Sequence, residues 1–432
     1  MLAVRNSLLL LSACASFAFA APDPTFYKDV LPILQNRCQE CHRPGEIGPM
    51  PLLTYQQARP WAAAIKESVL LKKMPPWFAD PKHGQFANDR SLTKEQIDTL
   101  AAWADKGAKQ GDPKEAPAPR AFVEGWNIPK PDLVLGMAKP FPVPAKSEID
   151  YQYVVLPTSF TEDKWVQMTE TRPSDRSVVH HLVVFVRDPK SQWLRGEAQP
   201  GMPFVPPKGG KRNDIGGEGN EILTVYTPGM VPDVLKSNQA RLIKAGSDLV
   251  LQIHYTSTRK DTQDQTKVGL FFSKEPPTER VMSIPLNNSR FVIPPGDPNF
   301  ELVGKGRAMN ATKIVSFFPH MHLRGKDFEY RLVTATGEVT TLLRVPKYDF
   351  NWQLAYKPVE DIPVPTGAHL EYTAHFDNSP NNPANPDPKA EVRFGEQSWE
   401  EMGIAFMDLT MDAKQDARSL FIPQARPTAP KQ

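Results

Sequence analysis

The sequence predicts a multidomain chain, with a small all-α block first and two all-β, jelly-roll-like sandwich domains after it. Three observations lead there. Apolar residues recur at helical spacing only before about residue 113, and beyond it come short β-branched runs separated by turn residues. Proline reaches 45 of 432 residues, roughly twice the usual share, and that density breaks helices while suiting short strands with stiff connections. Apolar residues still make up 40% of the chain, which excludes a disordered protein. The net charge of +2, with no basic run, excludes nucleic acid as a partner.

Residues 1–20 read as an export signal: Arg5, an apolar run from Ser7 to Phe17, then Ala18-Phe19-Ala20 as the small-x-small cleavage site. Leu11-Ser12-Ala13-Cys14 offers a second reading, a lipoprotein box that would leave Cys14 lipidated. Either reading puts the protein outside the cytoplasm, periplasmic or secreted. No later run is apolar enough for a transmembrane segment in the mature chain.

The predicted all-α block covers 22–113. Asp29 to Leu34 starts a helix, with Pro32 tolerable only in its first turn. Thr93 and Gln96 form a capping box for a second helix, in which Ile97, Leu100, Ala101 and Ala104 keep helical spacing until Gly107 stops it. Between them stands Cys38-Gln39-Glu40-Cys41-His42. Two thiols three apart, followed at once by an imidazole, supply two thioether tethers and one iron ligand for a covalent c-type haem. Cys38 and Cys41 are the only cysteines outside the leader, so disulfides and thiolate metal sites are excluded elsewhere. With a helix before the motif and another closing the block, the segment resembles a class I cytochrome c domain. That resemblance implies a distal iron ligand. Met74, in Lys73-Met74-Pro75-Pro76-Trp77, is the first choice and Met50, between Pro49 and Pro51, the rival.

Residues 114–124 form a proline-rich linker, begun by Pro113-Lys114-Glu115-Ala116-Pro117-Ala118-Pro119-Arg120. The strand-like runs that follow include 151–156, 178–186, 249–255, 313–318, 328–333 and 370–376. They are too many for one small sandwich, so the reading is two domains, 125–277 and 278–425.

Several of the nine histidines fall in these runs. His320 and His322 stand at i and i+2, so on a strand their imidazoles project from one face and converge without distortion. His180 and His181 are neighbours, which a regular strand points to opposite faces; both reach one ion only if the strand twists or different ring nitrogens are used. His254 in Gln252-Ile253-His254-Tyr255 reads as a hydrogen-bonded core residue or a ligand, and Met402 as a core filler or a ligand.

Taken in order, Val179-His180-His181-Leu182, Leu251 to Tyr255, Val292-Ile293-Pro294-Pro295-Gly296, His320-Met321-His322 and Glu401-Met402 resemble the copper type II, ascorbate-dependent monooxygenases, over about 125–410. Peptidylglycine α-hydroxylating monooxygenase and dopamine β-monooxygenase are the familiar members. The resemblance implies two sandwiches facing each other across an open cleft, each with one copper. His180, His181 and His254 would hold an electron-transfer copper. His320, His322 and Met402 would hold the copper that meets dioxygen, which suits a thioether's preference for Cu(I). With one haem c and two coppers, the expected activity is hydroxylation of a C–H bond in a small molecule by dioxygen. Electrons would come from a periplasmic donor through the haem to the first copper and then the second.

Departures from the family narrow the substrate. The residues that grip a peptide carboxylate in the amidating enzymes are replaced by Phe318, Ile404 and Phe406. A glycine-extended peptide is therefore not expected; an apolar or aromatic molecule is. Ala374 and Gly403 stand where a family disulfide would align, and His375 has no family role. A copper nitrite reductase is excluded because its blue-copper centre needs a cysteine thiolate. The alternative function is a periplasmic copper-binding or electron-relay protein that keeps the ligands without hydroxylating.

Overall fold

The computed structural model describes residues 22–207 and 220–424; the expected export signal and Cys14 lie outside them. Alternation of buried and exposed residues organises the body. In the strand His369–Phe376 every second side chain, Leu370, Tyr372, Ala374 and Phe376, turns into the core, while His369, Glu371, Thr373 and His375 turn outward. Burying such faces in pairs produces two sandwiches. The first core gathers Val154, Leu182, Val184, Leu249, Leu251 and Ile253 from a four-stranded sheet against Val166, Val268 and Leu270. The second gathers Phe328, Tyr330, Tyr372 and Phe376 from a five-stranded sheet against Phe317, Met407 and Leu409.

The two sandwiches are not separate. A nine-stranded sheet runs through both, contributing one wall to each. Its joint is a short parallel ladder, where Glu279 and Arg280 of the strand Glu279–Asn287 pair with Gln239 and Ala240 of the strand Gln239–Ile243. Beside the joint lies the buried Arg241, whose guanidinium bonds Asp233 at 3.1 Å and Ser283 at 3.2 Å, and reaches Asp408 at 2.8 Å. Lys357 of the second sandwich adds a bond to Asp233 at 3.2 Å. Burial pushes the Asp233 carboxyl up, but Lys357 and Arg241 outweigh it and hold the group below the usual carboxylate range.

The N-terminal expectation needs correction. Strands take 36% of the molecule and helices only 12%, and no small all-α cytochrome c domain stands apart from the β body. The helices Leu31–Arg37, Tyr55–Ala58, Ala62–Leu70 and Lys94–Asp105 are short. They do surround a small core of Phe26, Leu34, Leu100 and Trp103, and the Thr93–Gln96 capping box is formed. Between the last two helices, however, the chain leaves this lobe as an extended arm. Asp80 N bonds Arg344 O, Ala87 N bonds Lys357 O, Val359 N bonds Gln85 O, and Phe86 bridges to Pro358. Trp77 lies 4.9 Å from the Tyr356 ring, and Phe86 joins the second core. Prolines at 75, 76 and 81 keep this stretch from coiling, and its aromatic residues bury themselves on the nearest sandwich. Among the described residues no helix is long and apolar enough to cross a membrane.

Arg241→Met leaves the partly buried Asp408 without its cation and removes one of the two cations on Asp233. The expected loss is about 3–5 kcal/mol, read as a lower urea midpoint, with part regained in Arg241→Met/Asp408→Asn. A midpoint unchanged in the single variant would show that the joint does not depend on this cluster.

Candidate metal centres

The strands Val179–Arg187 and Asp248–Tyr255 pair antiparallel, with His181 opposite His254. A bulge falls between Val179 and His181. An extra residue in one strand breaks the alternation of faces, and this is how His180 and His181 both turn toward His254. The three rings lie 5.0–5.3 Å apart, centroid to centroid, and one ligand atom from each lies within 4.8 Å of the others. His180 Nδ1 is 3.0 Å from His181 Nδ1. His180 Nε2 and His254 Nδ1 are buried with no hydrogen-bond partner. Such atoms are costly unless something binds them. Burial pushes the pKa of His180 down to about 4, against the nearby Asp349 carboxylate. Burial first, then His180, takes His254 down to about 3, and His181 also lies well below the ordinary value. All three rings are therefore neutral at pH 7, the state in which imidazole donates to a metal. Tyr151 stacks on His254 at 4.8 Å, and its hydroxyl stands 3.3 Å from His181 Nε2.

The second set forms at the end of the strand Thr312–Met321. His320 pairs with Ile404 and Met321 with Gly403 of the strand Gly403–Asp412, so Met402 is carried alongside His322. The His320 and His322 rings stand 5.2 Å apart at 89°. His320 Nδ1 meets Gln353 Oε1 at 2.7 Å and His322 Nδ1 meets the Glu400 carbonyl at 3.3 Å. Each bond holds the Nδ1 proton and leaves Nε2 as the donor atom, as outer partners of metal-bound imidazoles do. Burial puts the pKa of His320 at about 4 and of His322 at about 3. Glu401, fully buried, accepts the backbone N–H groups of His322 at 2.9 Å and Arg324 at 2.6 Å. Burial pushes its carboxyl up to about 8.

Both sets border one cavity of about 70 Å³, whose wall includes His181 from the first and His320, His322 and Met402 from the second. Phe318, Ile404 and Phe406 line it with Val183, Phe185, Ile222 and Val225, so its surface is mainly apolar. The space that the two sets share is a small, partly open pocket.

The Cys38–His42 segment turns tightly at the end of the helix Leu31–Arg37. Cys41 N and His42 N both bond the Cys38 carbonyl, at 3.1 and 2.9 Å, so the two cysteines and the histidine share one turn. Both cysteines are free, and burial pushes the Cys38 thiol up to about 12. His42 Nδ1 bonds the Met50 carbonyl at 3.1 Å, leaving Nε2 for an iron. A Cβ on Gly48 would sit 2.8 Å from His42 Nδ1, so only glycine fits there. Met50 also packs with Cys38 on the lobe core. Met74 is half-buried beyond the helix Ala62–Leu70, with its amide on the Ser68 carbonyl. The motif faces the first sandwich. Glu46 pairs with Arg176, and a Cβ on Gly229 would lie 3.1 Å from Cys41 Sγ.

His375 is on the outward face, 2.8 Å from Asp327 and 3.8 Å from Glu301, and belongs to neither set. Gln353, the Glu400 carbonyl, Phe350 and Tyr151 were not legible from the sequence as parts of the site. The spacing of the histidines carries no information about which distant residues hold their second nitrogens.

No family model matches the sequence, and no curated protein matches it. Among solved structures, PNGF-II in the P21 space group is 10% identical, with 66% of this chain and 62% of that one covered and a TM-score of 0.22. Infectious bursal disease virus, Gx strain, is 9% identical, covering 70% and 77%, with a TM-score of 0.19. Similarity at these scores carries no argument about fold or function.

A cation that fills the first set should stabilise the folded chain by about 2.7 kcal/mol at 100 times its Kd. Calorimetric titration with Cu(II) or Zn(II), followed by a melting curve, checks this. His180→Ala should lose both the heat of that binding and the rise in Tm.

Proposed function

We propose that the chain is an exported, copper-dependent monooxygenase that hydroxylates a C–H bond of a small apolar or aromatic molecule, with a c-type haem as its electron source. The observation that carries this reading is the convergence of two histidine sets on a single apolar-walled chamber, with their ligands in the order of the copper type II monooxygenases. His180, His181 and His254 would hold one copper, and His320, His322 and Met402 the other; Cys38, Cys41 and His42 would hold the haem, with Met74 proposed as its distal ligand. The donor chemistry fits. Two buried ring nitrogens lack any partner, and five neutral imidazoles and one thioether suit an ion cycling between Cu(I) and Cu(II). Copper at these sets would supply dioxygen activation and one-electron exchange, and the haem the electrons.

The side chains have their own work. Gln353 and the Glu400 carbonyl orient His320 and His322. Glu401 fixes the backbone at His322 and Arg324, so the ligand-bearing turn keeps its shape. Phe318, Ile404 and Phe406 offer a substrate dispersion contacts without a charge to grip a carboxylate. A periplasmic electron donor and export itself remain part of the proposal.

A second reading has one observation in its favour. A chamber of about 70 Å³ is small beside the roughly 300–1,000 Å³ of ordinary ligand pockets, which suits a copper-binding or electron-relay protein without hydroxylation. Oxygen consumption by the reduced, copper-loaded protein, matched to a hydroxylated product, separates the two. The monooxygenase reading expects His320→Ala and Met402→Ala each to lose the coupled product, His320→Ala with loss of about one copper and haem retained in both. Copper stoichiometric with protein but no product from any apolar compound would favour the relay.

A further inference from the structure

Phe350 belongs to neither ligand set, yet its ring touches both. It stacks on His180 at 5.0 Å and 27°, lies 6.4 Å from His254, and meets His322 edge-on at 6.3 Å and 84°. The segment that carries it is fixed on each side. The Tyr348 hydroxyl donates to the Met321 carbonyl at 2.8 Å and accepts its N–H at 3.0 Å. The Gln353 carbonyl accepts the Thr227 hydroxyl from the first sandwich at 2.8 Å, and Phe317 and Tyr356 exchange backbone bonds at 2.9 and 2.8 Å. The segment that carries the ring is thus tied to both sandwiches.

We propose that Phe350 is a positioning residue that seals the space between the two ligand sets against water and covers one face of the first. This rests on the reading of His180, His181 and His254 as a metal centre. Stacked on His180 and near His254, the ring occupies ground from which solvent would otherwise reach an ion held by those nitrogens. An apolar wall there sets how much solvent the ion meets and, through it, its affinity and potential. It also places one aromatic ring, in place of water, in the gap between His180 and His322.

The test uses the full chain with His320→Ala and Met402→Ala, which empty the second set and leave Phe350's contacts with the first intact. Cu(II) is added to one equivalent, and water-proton relaxation and electron paramagnetic resonance are recorded. With Phe350 present, relaxivity should be that of a shielded ion. Phe350→Ala should raise it to that of a centre with an exchangeable water, alter the copper hyperfine pattern, and weaken copper binding about 10-fold. Phe350→Leu, which keeps an apolar wall and guards against a folding defect in the alanine variant, should stay near the parent. Equal relaxivity in parent and Phe350→Ala, with one copper bound in each, overturns the role of Phe350 alone. Failure of the parent to bind copper overturns the metal centre and this proposal together.

Discussion

The arrangement rests on the joint where one β-sheet passes from the first sandwich into the second. The parallel ladder there is short, two residue pairs, so hydrogen bonding alone does not fix the angle between the halves. Arg241 does much of that work, because it is buried between carboxylates that arrive from different sandwiches. A buried cation between two anions has one low-energy geometry. Further pairs cross the same line, Lys357 with Asp233 and Arg280 with Glu221. Both histidine sets are built on strands of fixed sheets, so their separation follows from this angle, and a small rotation would open the chamber or collapse it.

Local pattern made much of this legible. The β body, the i, i+2 projection of His320 and His322, and the Thr93–Gln96 cap depend on neighbours in sequence, and periodicity reports those directly. What sequence could not carry was the outcome of long-range pairing. The bulge before His181 turns two adjacent imidazoles toward His254, but a bulge is a register event between strands and leaves no mark in Val179-His180-His181. The shared sheet was missed for the same reason, since nothing in Gln239 or Glu279 announces a parallel partner. The expectation of an independent all-α block failed because helix signals at both ends of 22–113 were extended across its middle. There the aromatic residues Trp77 and Phe86 bury on another domain.

Burial explains the chemistry of the site more than charge does. Five histidines lose their protons because desolvation penalises the imidazolium, with repulsion from neighbouring imidazoles a smaller cause at His181, His254 and His322. The same desolvation keeps Glu401 partly protonated at the usual pH while its oxygens hold two backbone amides. A region this dry tolerates so many polar side chains only because most find partners, and the unpaired nitrogens of His180 and His254 are exceptions to that pattern.

The arm at residues 77–90 ties a segment near the start of the polypeptide to segments made some 270 residues later. Its hydrogen bonds cannot form until the second sandwich has been made, so the lobe completes its docking last. Deleting the lobe would also strip a covering from the second sandwich and expose the Tyr356 side of its core. The three parts of this protein are therefore poor candidates for recombination as cassettes: evolution could lengthen the loops between them, but could not trade the first piece away without redesigning the third.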